Sequence, residues 1–385
     1  MRRLDVAAAA ILVVVAAISA WGAWTGPIAW TPDGYFYEAQ VREVRGADRA
    51  AAVRAVFDGP LTADRRARER ATLAPRDRRV SSARWVAYSA RFYRRRWTVP
   101  LLAAAVYPLF GTRSLDLVSI VGYLVAAVAL YALARLRFGP LPSAVAATVA
   151  TLLPQYRTAA LAPLTDSWGI ALEAVCVVLA VHFCRNGRRM HAVLFAIAIA
   201  ALAFTRDNAA VVALALLAVG VRSRRALVLG AVAAVAAAIP SLTFGTHYAV
   251  LLAYTLAQSH IPPSTSFSWS LDHYDDGLRA LLHGLDSPRR FGIPPVTGIG
   301  LLVGLVGLFA LRRGGLAWWV LVASVAAGIA FMLSLPQEGY RIALVLLPAA
   351  TAGFAAIVST LVQRRKSPVN AVPDVHPTGT DPRRS

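Results

Sequence analysis

The sequence predicts an all-α polytopic membrane protein of about ten transmembrane helices, with a long first extracytoplasmic loop that contains interfacial helices. Hydrophobic residues make up 57% of the 385 residues, and the mean hydropathy of +0.56 is too high for an ordinary soluble domain. Apolar segments that can cross a hydrocarbon core of roughly 30 Å recur along the chain. Short arginine clusters flank these segments, as they do at the cytoplasmic ends of membrane spans.

We place the spans so that the arginine clusters fall on one side of the membrane. Short loops rich in Lys and Arg stay in the cytoplasm, so both termini and these loops are predicted to be cytoplasmic, in a plasma membrane. The clusters are Arg2-Arg3, Arg135/Arg137, Arg185/Arg188/Arg189, Arg222/Arg224/Arg225, Arg312/Arg313 and Arg364-Arg365-Lys366. The predicted spans are 5–25, 115–134, 140–155, 166–184, 190–205, 208–221, 226–244, 293–311, 315–335 and 341–362.

Two segments decide this arrangement. Segment 97–112 is apolar, but it is short and contains Pro100 and Pro108, so we interpret it as a re-entrant or interfacial helix on the outer face. Segment 190–221 is long enough to be read as one helix. Arg206-Asp207-Asn208 interrupt it in the middle, so we predict two short spans with a turn drawn towards the membrane.

The predicted topology divides the chain into a membrane module, residues 1–362, and a disordered cytoplasmic tail, residues 363–385. The module contains a first extracytoplasmic loop, 26–113, and a second long one, 245–292. The first loop carries many arginines, but long loops translocate largely regardless of charge. The N-terminus resembles an uncleaved anchor, with a signal peptide as the alternative.

The net charge of +20 would suggest nucleic acid in a soluble protein, but these arginines flank spans or lie in one loop. Membrane lipids are therefore the expected partners, and nucleic acid is not. Cys176 and Cys184 offer neither a disulfide framework nor a metal-ligand spacing. The oligomeric state is left open.

Asp33 is the first candidate catalytic residue. It follows the first span closely, in a turn that we expect Pro32 and Gly34 to form. A carboxylate beside a membrane-embedded cleft can act as a general base. The aromatic neighbours Tyr35 and Tyr37 could line a sugar or prenyl site. The alternative is a helix-capping Asp followed by an interfacial aromatic belt.

Asp166 is the second candidate, in the outer turn before the fourth span, where Thr165 or Asp166 could instead cap a helix. Glu173 lies seven residues later, on the same helix face and about 10 Å deeper. A carboxylate inside a span is costly and therefore a functional candidate, with a buried hydrogen bond or ion pair as the alternative.

Arginines complete the predicted site. Arg206 lies in the recessed turn and Arg341 opens the last span, while Arg157 and Arg113 lie in other outer turns. A planar guanidinium binds phosphate in a bidentate manner, so Arg206 and Arg341 are predicted to hold a phosphate, and Arg157 to line the substrate site with Glu173. The alternatives are snorkelling and, for Arg206, an ion pair with Asp207.

At these residues the chain resembles the GT-C superfamily of polytopic glycosyltransferases, which use polyprenyl-phosphate-linked sugars. The acidic residue in the first outer loop of that family is matched by Asp33 alone, which is followed by Gly34 and not by a second acid. In the later turn, Asp207 follows Arg206, where members of the family often have Pro. The matching stretches are Pro32–Tyr37, Arg96–Leu101 running to Phe110-Gly111, Leu164-Thr165-Asp166, Ala203–Arg206, and Tyr340-Arg341 with Pro348.

The resemblance implies an inverting transfer from a polyprenyl-phosphate sugar to an acceptor on the extracytoplasmic face. Asp33 would deprotonate the acceptor hydroxyl, while Arg206 and Arg341 would stabilise the leaving phosphate. Asp166 would orient Asp33, the acceptor or a divalent cation. Members of the family differ in their use of metal, so no metal site is assigned.

Two other functions fit the same sequence. A transporter or lipid flippase would use Glu173 and the arginines as a translocation path, but it needs polar groups near the midplane, and most of them are at the outer ends here. A non-catalytic protein of envelope assembly would use Asp33 only as a cap. The sequence names neither the sugar nor the acceptor.

Overall fold

The computed structural model describes residues 2–58, 83–257, 261–286, 296–310, 315–336 and 340–366, and every regular element within these ranges is a helix. The predicted tail, apart from 363–366, lies outside them. The helices are α1 Arg2–Thr25, α2 Pro32–Val44, α3 Arg49–Phe57, α4 Ala83–Tyr93, α5 Thr98–Phe110, α6 Ser114–Arg135, α7 Pro140–Leu152, α8 Pro154–Leu161, α9 Asp166–Asn186, α10 Arg189–Ala203, α11 Asn208–Gly220, α12 Arg224–Thr243, α13 Tyr248–Leu256, α14 Phe267–Asp272, α15 Tyr274–Asp286, α16 Val296–Ala310, α17 Leu316–Ser334 and α18 Leu347–Lys366. Short 3₁₀ turns, Gly111–Arg113 and Tyr340–Leu346, precede α6 and α18.

Six stretches of helix in the described residues are long and apolar enough to cross a membrane. The prediction of a helical membrane protein is thereby confirmed, while the number of ten spans stays a prediction. The remaining predicted spans coincide with α7, α10, α11 and α16, which have 13 to 15 residues each. The six stretches are Leu4–Thr25, Thr98–Arg135, Asp166–Asn186, Arg224–Thr243, Leu316–Ser334 and Ala343–Gln363.

The arginines of the short loops gather at one end of the helix bundle, which we call the basic end. Arg135 at the end of α6 pairs with Asp5 at the start of α1, with 2.7 Å between Nε and Oδ1. Arg225 donates to the carbonyl of Cys184 at 3.1 Å, and Arg222 lies 3.9 Å from the ring centre of Trp319. The predicted clustering on one side is therefore present in the described part of the bundle.

The opposite end, where α1 ends and α6 and α9 begin, is called the site end. Helix α5 both starts and finishes there. The backbone N–H of Thr98 donates to the carbonyl of Phe204 at the end of α10, at 3.1 Å. Arg113 donates to the carbonyls of Trp24 and Gly26 at the end of α1. These contacts support the interpretation of segment 97–112 as a helix that does not cross, and its position in a membrane stays a prediction.

Helices α16 and α18 approach each other through glycines. A Cβ added to Gly353 would collide with the carbonyl oxygen of Gly304, and one added to Gly307 would lie 2.6 Å from the carbonyl oxygen of Gly353. Such small residues let helix backbones meet in a membrane, where van der Waals packing replaces the hydrophobic effect as the main attraction.

We expect Gly353→Ala to destabilise the protein by about 1–3 kcal/mol, because the new methyl group forces α16 and α18 apart. The matched control is Gly298→Ala on α16, where nothing lies within 4 Å of the added Cβ. The thermal midpoint of the detergent-solubilised protein, followed by circular dichroism, measures both variants. Equal midpoints for the two would show that this glycine contact does not hold the helices together.

Helices α2 to α4 form a small aromatic core above the site end. Phe36 stacks on Tyr93 with ring centres 4.4 Å apart, and it also contacts Phe57 and Trp85. On another side, α13 to α15 are fastened to the end of α17, where the Tyr248 hydroxyl donates to the carbonyl of Ser334 at 2.7 Å. Both units therefore pack on the end of the bundle that carries the predicted site.

Candidate functional site

Asp33 lies in the first turn of α2, not in the separate turn that was expected from Pro32 and Gly34. Proline is favoured at the first position of a helix because its missing N–H needs no partner there. The N-cap is Thr31, whose Oγ1 accepts from the N–H of Gly34 at 3.2 Å. The carboxylate of Asp33 is thus not needed for capping, and its Oδ1 accepts a hydrogen bond of 2.8 Å from the hydroxyl of Tyr93.

Tyr93 is a neutral donor to Asp33. Burial, followed by the charge of Asp33, raises the pKa of Tyr93 well above its ordinary value. The phenol therefore keeps its proton at neutral pH, and its hydrogen bond fixes one oxygen of the carboxylate.

Gly34 brings the start of α2 against the loop that precedes α9. A Cβ at this position would lie 3.1 Å from Cγ of Pro163 and 3.3 Å from the ring of Trp30. A methyl group would therefore be in tight contact with both, and the glycine lets the start of α2 approach the Asp166 segment closely.

Asp166 is 2% exposed at the first position of α9 and forms an ion pair with Arg206. The arginine crosses α9 at Gly169, where an added Cβ would lie 2.5 Å from Cδ of Arg206. The alternative pairing of Arg206 with Asp207 is wrong. The other polar group in this turn, Thr165, does not cap α9 with its side chain.

Asp207 instead binds two arginines of the first loop. Its Oδ2 lies 2.7 Å from Nη2 of Arg95 and 3.5 Å from Nη2 of Arg96. Burial alone would raise the pKa of Asp207, but the nearby guanidinium groups outweigh burial and hold it below the ordinary value. Asp207 is therefore an anion that fastens the α4–α5 connection to the α10–α11 turn.

Arg96 links the two halves of the site. Its Nη1 donates to the hydroxyl of Tyr37 at 3.1 Å, and that hydroxyl lies 3.4 Å from Oγ1 of Thr165. Burial alone would lower the pKa of Arg96, but the interaction with Tyr37, followed by the charges of Asp207 and Asp33, raises it above its ordinary value. The guanidinium stays charged and joins the α2, α9 and α10–α11 segments into one network.

The sequence did not single out Arg95, Arg96 or Asp207 as site residues. The signal that could have found them is the run Arg94-Arg95-Arg96 directly before an apolar helix, where three charges need partners at the membrane boundary.

The remaining predicted site residues lie elsewhere. Tyr35 is buried against Trp30, with stacked rings 5.4 Å apart, so a substrate-lining role for it stays a prediction. Glu173 is buried and accepts from the Nδ2 of Asn208 at 2.6 Å, which matches the alternative of a buried hydrogen bond. Arg157 is exposed on α8. The side chain of Arg341 lies outside the described part of the chain.

A cavity of about 400 Å³ opens beside this network, between α11, α12, α13 and α17. Its polar head is formed by Arg95, Arg206 and Asp207, and its walls are mostly apolar. The head thus presents two guanidinium groups, Arg206 paired with Asp166 and Arg95 paired with Asp207. The wall residues include Leu214, Ala237, Pro240, Leu251, Phe331 and Leu335.

The described residues do not fit a resident divalent cation at Asp166. No three His, Cys, Asp or Glu side chains of the described ranges come together as a metal site. The guanidinium of Arg206 already neutralises Asp166 and would repel a cation. No step is therefore assigned to a metal here.

Comparison of the chain with protein-family models and with curated proteins finds no match. The functional argument therefore comes from the geometry of the site itself.

Proposed function

We propose that the protein is a glycosyltransferase that moves a sugar from a polyprenyl-phosphate donor to an acceptor hydroxyl, with inversion. The observation that supports this most is the cavity, which combines a head of two guanidinium groups with apolar walls and includes Arg206, the ion-pair partner of Asp166. A ligand of matching chemistry has an anionic group joined to an apolar chain. A lipid phosphate has both parts.

The donor phosphate would lie between Arg206 and Arg95. Arg95 is 3% exposed, and its Nε has no hydrogen-bond partner although the residue lines the cavity. A buried guanidinium donor without an acceptor is costly, and a phosphate oxygen would remove that cost. Arg341 remains a predicted further contact. The prenyl chain would follow the apolar walls towards the bundle.

The reaction needs one base. Asp33 takes the proton of the acceptor hydroxyl as the acceptor oxygen attacks the anomeric carbon, and the bond from that carbon to the phosphate oxygen breaks. The lipid phosphate leaves as an anion without needing a proton, while the arginines stabilise the charge that develops. Asp166 acts through Arg206, as a positioning residue. Attack from the side opposite the leaving group gives inversion.

The test is transfer of radiolabelled sugar from a panel of polyprenyl-phosphate sugars to membrane acceptors, with purified protein in nanodiscs. Labelled product that depends on the protein and on Asp33 supports the proposal. Uptake or movement of the intact lipid without cleavage would favour a transporter. Against that function, the deepest acid, Glu173, is enclosed and bound to Asn208.

The proposed orientation puts the site end outside the cell and both termini in the cytoplasm. We expect Thr158→Cys and Leu271→Cys to react with an impermeant maleimide in intact cells, and Val221→Cys at the basic end to react only after permeabilisation. All three positions are exposed, and the background is Cys176→Ala with Cys184→Ala. The reverse labelling pattern would invert the topology and move the site into the cytoplasm.

A further inference from the structure

Helix α5 carries apolar side chains that no other part of the described protein covers. Leu109 is 81% exposed, and Leu101, Leu102 and Phe110 are also exposed. Both ends of this helix lie at the site end of the bundle. A helix of this kind, held at the end of a bundle of spans, meets hydrocarbon near the boundary of one leaflet.

The side chain of Arg45 packs on the same helix. It follows the end of α2, and its guanidinium carbon lies 4.2 Å from the ring centre of Tyr107 on α5. Phe110, which is exposed, lies three residues after Tyr107 and therefore on the same side of α5, so the cation lies at the edge of the apolar surface. That is the level at which lipid headgroups begin.

Positive charge exceeds negative charge at this place. Arg42 pairs with Glu38 at 3.0 Å, and Arg94 pairs with Glu43 at 3.3 Å. Two further exposed arginines have no such carboxylate partner among the described residues: Arg45 and the first residue of α3, Arg49.

Arg49 lies four residues after Arg45 and is exposed as well. Burial, followed by the charge of Arg94, lowers the pKa of Arg49, while the charge of Glu43 acts in the opposite direction. No described carboxylate forms an ion pair with Arg45 or Arg49, so an anion from outside the chain would give both a partner.

We propose that Arg45 and Arg49 bind the anionic headgroups of phospholipids in the leaflet that α5 enters. The apolar face of α5 holds the acyl chains, and the two guanidinium groups above it hold the phosphates. This inference does not depend on sugar transfer, because the surface lies at the far end of α2 from Asp33. Arg45 follows Asp33 by twelve residues, which in a helix corresponds to a separation of about 18 Å.

The experiment places a bimane fluorophore at Leu109→Cys, in the full chain with both native cysteines replaced by alanine, reconstituted in bilayers. Brominated phosphatidylglycerol and brominated phosphatidylcholine then quench it in proportion to their local concentration. We expect phosphatidylglycerol to be preferred by roughly 25-fold, because each of the two arginines near the surface contributes about fivefold. Arg45→Gln with Arg49→Gln should bring the ratio close to one.

The matched control is Arg54→Gln, which removes the same charge from α3. Arg54 is exposed and lies five residues after Arg49, about 140° around the helix. It should leave the ratio unchanged.

An unchanged ratio in the double variant would overturn the proposal, as would equal quenching by the two lipids in the unsubstituted protein. Failure of both lipids to quench would show that α5 lies outside the bilayer. If the double variant instead lost affinity only for a soluble anionic acceptor, these arginines would belong to a different partner.

Discussion

We expect the replacement of Asp33 by asparagine to abolish sugar transfer, while the fold and the binding of the donor lipid are retained. Asparagine keeps the size of the side chain and can still accept from the hydroxyl of Tyr93, but it cannot take a proton. General-base catalysis typically contributes 10²–10⁴-fold, so the rate of labelled product formation should fall by that order. Donor binding in nanodiscs should stay within a few-fold of the unsubstituted protein.

The matched control is Asp48→Asn, in the same loop. Asp48 caps α3 through the N–H of Ala51, and asparagine caps a helix almost as well. Its activity should be unchanged. Activity of Asp33→Asn within a few-fold of the unsubstituted protein would place the base elsewhere, and Asp166→Asn would be the next variant to measure.

The second large effect is expected at Arg206. Arg206→Ala alone leaves the buried carboxylate of Asp166 unpaired, which can cost about 3–5 kcal/mol of stability and confuse the result. The informative variant is therefore Arg206→Ala combined with Asp166→Asn, which removes both charges. We expect it to insert and fold, and to bind the donor lipid at least tenfold more weakly, because a charged hydrogen bond to phosphate is worth about 1.5–3 kcal/mol.

Arg206→Lys separates charge from shape. It keeps the positive charge but loses the planar pair of donors, so donor binding should still weaken. The same assay applies to Arg95→Lys and Arg341→Ala. Donor binding equal to that of the unsubstituted protein in the double variant and in Arg341→Ala would mean that these residues only serve local ion pairs, and the phosphate role would be wrong.

Much of the architecture could be predicted from local pattern. The lengths of the apolar segments and the arginines that flank them predicted the long helices and the basic end that these helices share. The polar interruption at Arg206 predicted the turn between α10 and α11. The cap of α2 was not among these features, because the cap considered from the sequence was Asp33 and the structure has Thr31. These features depend on neighbours in the sequence, which a single chain displays directly.

The partners within the site could not be predicted in the same way. Arg206 had an adjacent carboxylate, Asp207, yet it pairs with Asp166, forty residues away. Asp207 in turn pairs with Arg95, more than one hundred residues earlier. The packing of α9 on α10 and the space beside Gly169 determine which carboxylate contacts which guanidinium group. Neither can be predicted from the spacing of neighbouring residues in the sequence.

The ion pair of Asp207 with Arg95 has a thermodynamic consequence. Arg95 belongs to the loop that carries Asp33 and Tyr93, while Arg206 belongs to the helix bundle, and both line one cavity. A phosphate bound by both arginines, as proposed above, would tie the loop to the bundle more tightly. An acceptor that binds better when the loop is held in this way would then raise the affinity for the donor, and the donor would raise the affinity for the acceptor by the same factor.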